Sequence, residues 1–328
     1  MPDITGAAAP LLQVEGLRKH FPTESRNPDG TRKVVRAIDG VSFTMQRGEV
    51  LGLVGESGSG KSTIGRVVLR LHEPTDGRVL FDGIDLATLG RTALRRARRR
   101  MQMVFQDPYS SLNPNMRVQE MLEEALIVHR LEPDAAARRA QVATLLDMVG
   151  MNAGFAARFP HELSGGQRQR VAIARALAVR PEFIVADEAV SALDVSNQAQ
   201  VLNVMVELRR RLGLTVLFIS HNLAVVQNVA DRVAVLYLGR MMEIAPAAAL
   251  FATPRHPYTA ALLSAIPIPD PDARRTRVAI TGEIPSAANP PSGCVFRTRC
   301  PMAMDACATD VPPLKDLGDG HLAACLRV

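Results

Sequence analysis

The sequence predicts an α/β protein with a parallel sheet, a helical insertion and a separate C-terminal extension. Short apolar runs recur along the chain, and segments with helical spacing of apolar residues separate them. After residue 253 proline becomes frequent and the cysteines cluster. We therefore expect a main domain over residues 1–253, with its helical part at about 90–180, and a small extension over residues 254–328.

Composition narrows the class of protein. The chain has 328 residues, 47% of them hydrophobic and 22% charged, as in globular proteins. It contains no run of the roughly 18–20 apolar residues that a membrane helix needs, and the N-terminus shows no secretory signal, so we expect a cytosolic protein. The net charge of +6 comes largely from "RRARRR" (95–100) and "LRRRLG" (208–213), which we interpret as solvated helix faces.

The apolar runs give the strands in order. "VLGLVG" (50–55) predicts a buried strand, and the polar, turn-rich segment 21–35 before it predicts a long loop between two strands. From about 90 to 180 the spacing is helical. A helix over 196–213 should end at Gly213. The later strands are predicted at "EFIVAD" (182–187), "LTVLFISH" (214–221) and "DRVAVLYLG" (231–239).

The segment "GESGSGKS", from Gly55 to Ser62, fits the phosphate-binding pattern G-x-x-x-x-G-K-[ST]. Its glycines let backbone N–H groups turn towards phosphates, Lys61 can reach the β- and γ-phosphates, and the Ser62 hydroxyl can bind Mg²⁺. The strand before the loop and the helix after it are the context that the pattern requires. We predict nucleotide binding by Gly55, Gly58, Gly60, Lys61, Ser62 and Thr63.

Two carboxylates end the apolar run "FIVADE" (183–188). Asp187 is suited to hold Mg²⁺ through water, and Glu188 can orient and deprotonate an attacking water. A strand followed by a capped helix would give the same pattern, so the pair gains its meaning from the phosphate loop. Together they predict hydrolysis rather than storage of a nucleotide.

A second glycine motif lies in "ELSGGQRQRVAIARAL" (162–177). Ser164 and Gln167 can form a capping box at a helix start, but capping does not require Gly165 and Gly166 between them. The motif resembles the signature sequence of ATP-binding cassette (ABC) ATPases. The resemblance implies a P-loop NTPase with the ABC cassette fold, which has a mixed sheet core and a helical signature subdomain. It also implies a head-to-tail dimer in which the signature residues contact ATP bound to the partner subunit.

Other segments match the family in order, and the resemblance implies their roles. Gln106 in "VFQDPYSSLNP" matches the Q-loop, which senses Mg²⁺ and the γ-phosphate, so the implied Mg²⁺ ligands are Ser62, Gln106 and Asp187. Asp194 in "SALD" matches the D-loop that faces the partner, and His221 in "FISHN" matches the switch histidine.

Phe21 falls where the family stacks an aromatic ring on adenine, and His20 is the alternative. Ala189 and Asn222 stand where many relatives have proline and aspartate. Neither departure removes a catalytic group.

Segments such as "HPYTAALLSAIPIPDPD" (256–272) and "GEIPSAANPPSGCVFRTRCP" (282–301) resemble the oligopeptide/dipeptide importers. The tail is most similar to the second ATP-binding subunit of such systems. The resemblance implies an ATPase that energises import of peptides, or of nickel or another small solute. It implies a heterodimer with a second ABC ATPase, two permease subunits, an extracytoplasmic solute-binding protein and a peripheral position on the cytoplasmic face of the membrane.

A different class of function stays open, a soluble ABC-type ATPase that acts on nucleic acid or ribosomes. Such relatives usually carry two cassettes or large insertions, whereas this chain has one compact cassette, so transport is favoured. An inactive regulatory cassette is disfavoured because every catalytic group is present.

The four cysteines, Cys294, Cys300, Cys307 and Cys325, have the spacing C-x5-C-x6-C-x17-C. Disulfides are disfavoured in the cytosol, and independent buried thiols are the simplest alternative. Clustering in a proline-rich segment argues for shared ligation, because such a segment has little apolar surface with which to fold alone. Zinc sites favour close cysteine pairs, which are missing here, whereas a [4Fe–4S] cluster is the option that resemblance to peptide-importer tails implies.

Overall fold

A computed structural model describes residues 9–26, 30, 32–191, 193–266 and 280–328. The chain forms two compact units. Unit 1 consists of Met1–Met45, Val50–Ala87 and Ser220–Val328, and unit 2 of Gln46–Glu49 and Thr88–Ile219. Residues 267–272 of the importer-like segment lie outside the described residues.

The elements are numbered along the chain. The strands are β1 (Leu12–Arg26), β2 (Arg32–Met45), β3 (Val50–Val54), β4 (Asp76–Phe81), β5 (Ile84–Asp85), β6 (Met101–Val104), β7 (Phe183–Asp187), β8 (Thr215–Ile219), β9 (Arg232–Tyr237), β10 (Arg240–Pro246), β11 (Lys315–Asp316) and β12 (Leu322–Ala323). The helices are α1 (Lys61–Val68), α2 (Arg91–Arg100), α3 (Pro108–Ser111), α4 (Val118–Val128), α5 (Ala135–Met148), α6 (Gly165–Leu177), α7 (Val195–Leu212), α8 (Leu223–Val229), α9 (Ala247–Ala252), α10 (Pro257–Ser264) and α11 (Ala306–Thr309). Short 3₁₀ helices span Leu86–Thr88, Ala153–Ala157 and Pro160–Glu162.

Unit 1 contains an antiparallel sheet in the order β2-β1-β4-β5. It also contains β3, the strand that leads into the phosphate loop. Strand β3 pairs in parallel with β9, and β9 pairs antiparallel with β10. Every residue of β3 is buried, as its continuous apolar run predicted. The C-terminal extension adds two short strands to this sheet. Strand β12 pairs antiparallel with β10, and β11 pairs antiparallel with the other side of β12.

The predicted loop over 21–35 is wrong. Strand β1 continues to Arg26 and β2 begins at Arg32, and Phe21 pairs with Val35. Pro22 and the polar residues suggested a loop. In the described residues, however, the pairing of β1 with β4 ends at Arg18, and a register shift in the pairing with β2 between Pro22 and Arg26 accommodates them. Residues 27–29 and 31 of this segment lie outside the described residues.

Unit 2 contains the parallel strands β6, β7 and β8, with β7 in the middle. The apolar runs predicted β7 and β8 within a residue or two. They did not predict β6, which lies inside the region expected to be helical. Its four residues, Met-Gln-Met-Val, are too few for periodicity to distinguish a strand from a helix.

The helices agree with the caps and charge patterns that the sequence offers. Helix α7 ends at Leu212, and Gly213 adopts the left-handed conformation with φ 65° as its C-cap. Helix α2 holds the arginine run 95–100 and has no buried residue, in line with a solvated face. None of the helices in the described residues is long and apolar enough to cross a bilayer.

Candidate nucleotide site

The phosphate loop joins β3 to α1 in unit 1, and its glycines adopt conformations that other residues rarely reach. Gly55, Gly58 and Gly60 have φ of 152°, 78° and 107°. A Cβ on Gly60 would lie 2.2 Å from the carbonyl oxygen of Ala37, and one on Gly55 would lie 2.1 Å from that of Leu236. The loop therefore passes close to neighbouring backbone, which only glycine permits.

Lys61 lies inside this loop and is only 4% exposed. Its ammonium donates hydrogen bonds to the carbonyl oxygens of Gly55 at 2.8 Å and Glu56 at 2.9 Å. Helix α1 begins at Lys61, and Ser62 and Thr63 follow in its first turn. The ammonium, the first-turn hydroxyls and the N–H groups at the helix N-terminus form a cationic cradle of the kind that binds phosphates.

The candidates for adenine stacking lie on β1. The ring of Phe21 makes an edge contact with the ring of His72, with centroids 5.8 Å apart, and the Lys19 ammonium lies 4.9 Å from its centroid. His20 instead turns towards Asp39, with 3.7 Å between Nε2 and the carboxylate. Phe21 thus packs against His72 and Lys19, whereas His20 lies near the Asp39 carboxylate.

His221 is an exposed residue of unit 1, between Ser220 and Asn222. The Asn222 side chain caps α8 by accepting from the N–H of Ala224 at 3.0 Å. The hydroxyl of Ser220 accepts from the N–H of Asn222 at 3.0 Å. The asparagine at this position therefore fixes the turn that presents His221.

In unit 2, β7 ends in the two predicted carboxylates. Asp187 is 3% exposed. Glu188 follows in the left-handed region with φ 48°, which is strained for a residue other than glycine. The amide of Gln106 donates to the Glu188 carboxylate at 3.0 Å. The structure thus brings Gln106 and Glu188 together, 82 residues apart in the chain.

The signature motif begins α6. Ser164 is the N-cap, accepting from the N–H of Gln167 at 3.3 Å, while the Gln167 side chain accepts from the N–H of Ser164 at 2.9 Å. The predicted capping box is therefore present. Ser164 and Gly165 are exposed, so the start of this helix faces solvent within unit 2.

Asn197 is a residue that the sequence analysis missed. Its N–H and side-chain amide donate to the Asp194 carboxylate, at 3.0 and 2.6 Å, and the backbone hydrogen bond contributes most to lowering the pKa of Asp194. A Cβ on Gly166 would lie 2.7 Å from the Asn197 side-chain oxygen. Asn197 thus links the signature and D-loop segments. The one available signal was its position three residues after an N-cap aspartate.

The four cysteines of unit 1 are free thiols. Together with His256 and Phe296 they line one cavity of about 20 Å³. Burial raises the pKa of Cys294 and of Cys300, and the neighbouring thiols raise both further. Across the described residues, however, no three His, Cys, Asp or Glu side chains are arranged so that they could hold a metal ion. The thiols converge, but not in ligand geometry.

Comparison with known proteins identifies the chain. Residues 38–191 match the ABC transporter family, and residues 242–307 match the C-terminal region of oligopeptide/dipeptide transporters. A putative peptide import ATP-binding protein of Brucella ovis is 58% identical over 318 residues, covering 97% of this chain and 98% of that protein. The chain belongs to the ABC transporter ATP-binding proteins. The resemblance inferred from the motifs is thus confirmed.

Further relatives agree with this assignment. The oligopeptide transport ATP-binding protein AppF of Bacillus subtilis is 49% identical over 320 residues, 96% of each chain. The solved dimer of the ATP-binding cassette MJ0796 in a post-hydrolysis state bound to ADP and Pi has 28% identity and a TM-score of 0.64, covering 72% of this chain and 98% of that one. As a member of this ABC family the protein is an ATPase with the cassette fold, and nothing in these comparisons favours action on nucleic acid or ribosomes.

Proposed function

We propose that this ABC ATPase energises the import of peptides through a membrane transporter. The observation that carries the proposal is the combination, in one chain, of the phosphate loop with a C-terminal region of the oligopeptide/dipeptide transporter type. Relatives that match nearly the whole chain are named peptide import or oligopeptide transport ATP-binding proteins.

For the site residues we propose the following roles. The loop N–H groups and Lys61 hold the phosphates of ATP, with Phe21 against adenine. Mg²⁺, held through Ser62, Gln106 and Asp187, would neutralise phosphate charge. The buried ammonium, the hydroxyl and the buried carboxylate support this assignment, because they are the donor types that phosphate and Mg²⁺ prefer.

Glu188 is proposed to orient the attacking water and accept its proton, and His221 to contact the γ-phosphate. The hydrogen bond from Gln106 to Glu188 supports this role, because it fixes the direction of the carboxylate. Ser164, Gly165, Gly166 and Gln167 are proposed to bind the ATP of the partner subunit, and Asp194 to face that subunit. The exposed start of α6 supports the signature's role.

We further propose a cassette over residues 1–253, with a helical subdomain at about 90–180, and an importer-type extension over 254–328. The partners are a second ABC ATPase subunit, two permeases and, indirectly, an extracytoplasmic solute-binding protein. The chain would lie on the cytoplasmic face of the membrane. The names of the relatives, a putative peptide import ATP-binding protein and an oligopeptide transport ATP-binding protein, support membrane partners of this kind.

Peptide import is tested by uptake in cells of the source organism. Cells without this chain should lose uptake of labelled di- and tripeptides, the wild-type gene should restore it, and Lys61→Ala should not, because the ammonium that faces the phosphates is gone. The tagged chain should copurify with two permeases. Full peptide uptake in the deleted strain, or loss of nickel uptake alone, would contradict the proposal.

For the cysteines we propose a four-thiolate site, with a [4Fe–4S] cluster preferred over Zn²⁺. Convergence of four thiols on one cavity supports shared ligation, although their present arrangement does not form a metal site. Protein purified without oxygen should contain iron and sulfide with a broad visible absorption that Cys300→Ser removes. Zinc in place of iron would change the assignment, and metal-free folded protein would refute it.

A further inference from the structure

Glu56 occupies a position of the phosphate loop at which the binding pattern allows any residue. The guanidinium of Arg299, in the C-terminal extension, donates two hydrogen bonds to the Glu56 carboxylate, at 2.6 Å to one oxygen and 3.0 Å to the other. The Arg299 side chain is 9% exposed and that of Glu56 is 24% exposed, so solvent screens this pair only in part. Bidentate pairs of this kind are strong and fix orientation.

The backbone at Glu56 is held by the same part of the chain. Its N–H donates to the hydroxyl of Tyr258, on α10, at 3.0 Å. The rings of Tyr258, Tyr237 and Phe296 pack against one another with centroids 4.9–5.3 Å apart. Arg299 also donates to the Tyr237 hydroxyl at 3.4 Å. A rigid aromatic cluster therefore supports both contacts to Glu56.

Lys61 also contacts the backbone around Glu56, from within the phosphate loop. Its ammonium donates to the carbonyl oxygens of Gly55 and Glu56. In the role proposed above, this ammonium turns to the phosphates when ATP binds. The contacts that Arg299 and Tyr258 make with Glu56 do not involve that ammonium and can persist.

Charge gives Arg299 a second effect. Glu56 carries a carboxylate within a loop that must accept a polyanion, and like charges repel at short range. The guanidinium, which stays charged in proteins, neutralises that carboxylate through the two hydrogen bonds. Without Arg299 the Glu56 carboxylate would have no guanidinium to compensate its charge, and it would repel the phosphates.

We propose that Arg299 is a positioning residue for ATP binding: the C-terminal extension braces the phosphate loop by gripping Glu56, and neutralises its charge. This inference rests on the proposed role of the loop in binding ATP phosphates. It gives the extension a direct part in the nucleotide site of its own chain.

A double-mutant comparison tests this inference. The dissociation constant of the ATP analogue AMP-PNP with Mg²⁺ is measured by calorimetry on the full chain. Arg299→Gln should weaken binding by about tenfold, because a charged hydrogen-bond partner is lost and a carboxylate is exposed. Adding Glu56→Gln should restore affinity to within about threefold of the wild type, because the repelling charge is then removed and the two glutamine amides can still hydrogen-bond to each other.

The rescue separates positioning from a merely structural role, since damage to the fold of the extension would not be repaired by a change in the loop. Arg297→Gln is the matched control: Arg297 lies two residues earlier, its hydrogen bonds given by the structure go to Ser292, and its loss should leave affinity unchanged. Tyr258→Phe removes only a hydroxyl and should weaken binding by about two- to fourfold, so it serves if Arg299→Gln fails to fold.

Affinity within twofold of the wild type for Arg299→Gln, or for Tyr258→Phe where Arg299→Gln does not fold, would overturn the inference. So would a double variant as weak as Arg299→Gln alone. Failure of the wild-type chain to bind the nucleotide would instead contradict the proposed function of the loop, so the two failures are distinguishable.

Discussion

Glu188→Gln is expected to lower ATP hydrolysis by about a thousandfold while ATP binding persists, because a positioned general base contributes about 10²–10⁴ to the rate. The amide has the shape of the carboxylate but cannot accept the proton of the attacking water. In the ATP-bridged dimer proposed above, hydrolysis would release the two subunits, so the variant should also accumulate as an ATP-bound closed dimer. Phosphate release measures the first effect, and size-exclusion chromatography with ATP measures the second.

The backbone contacts around Glu188 should keep its conformation unchanged in the Glu188→Gln variant. Its N–H donates to the carbonyl oxygen of Ile219 at 3.0 Å, and its carbonyl oxygen accepts from the N–H and hydroxyl of Ser191. Gln106 donates to its side chain, and a substituted amide oxygen could accept the same bond. The left-handed conformation is thus held by contacts that the substitution leaves in place.

Glu182→Gln is the matched control. Glu182 directly precedes β7, at the opposite end from Glu188, and pairs with Arg100 and Arg47. These hydrogen bonds, that from Arg100 first, lower the pKa of Glu182 against the effect of burial. Its substitution should reduce stability slightly and leave the rate per folded chain unchanged. Undiminished turnover in Glu188→Gln would refute the assigned base.

Local pattern explains which parts of the fold the sequence could predict. Continuous apolar runs predicted β3, β7, β8 and β9, since buried parallel strands need them. The pairing of β1 with β2 around Pro22 could not be predicted, because Pro22 and polar residues lie on a stretch beyond the β4 pairing, where a register shift accommodates them. Strand β6 was missed because four residues are too few to show a period.

The motifs were enough to predict the identity of the site residues. They were less informative about the contacts that hold those residues in place. The capping box of Ser164 and Gln167 could be predicted because its partners are three residues apart. The grip of Arg299 on Glu56 joins residues 243 positions apart, and no local pattern marks such a pair. The left-handed conformation of Glu188 depends likewise on contacts with a neighbouring strand end. Long-range contacts of this kind required the structure.

The second large effect is expected from Gly60→Ala, which should weaken binding of AMP-PNP with Mg²⁺ by about a hundredfold or more. A left-handed conformation costs a residue with a Cβ about 1–2 kcal/mol, and overpacking costs about 1–3 kcal/mol more, while each 1.4 kcal/mol is tenfold in affinity. The new Cβ would meet the backbone oxygen of Ala37 at 2.2 Å, and backbone on a paired strand cannot give way as a flexible side chain can. The loop must therefore move, and Lys61 and the first-turn N–H groups move with it. Calorimetry on the full chain measures the loss.

Gly213→Ala separates the clash from the cost of the backbone conformation. Gly213 also has a positive φ, of 65°, but a Cβ there would meet nothing within 4 Å. This control should lose about 1 kcal/mol of stability and keep its affinity for nucleotide. If Gly60→Ala binds AMP-PNP within about tenfold of the wild type, the cost of the left-handed backbone conformation is enough to explain the loss of affinity, without any contribution from the clash. In that case the close approach to Ala37 does not set the shape of the phosphate loop. A hundredfold loss with Gly213→Ala unaffected would instead show that this contact fixes the loop around the phosphates.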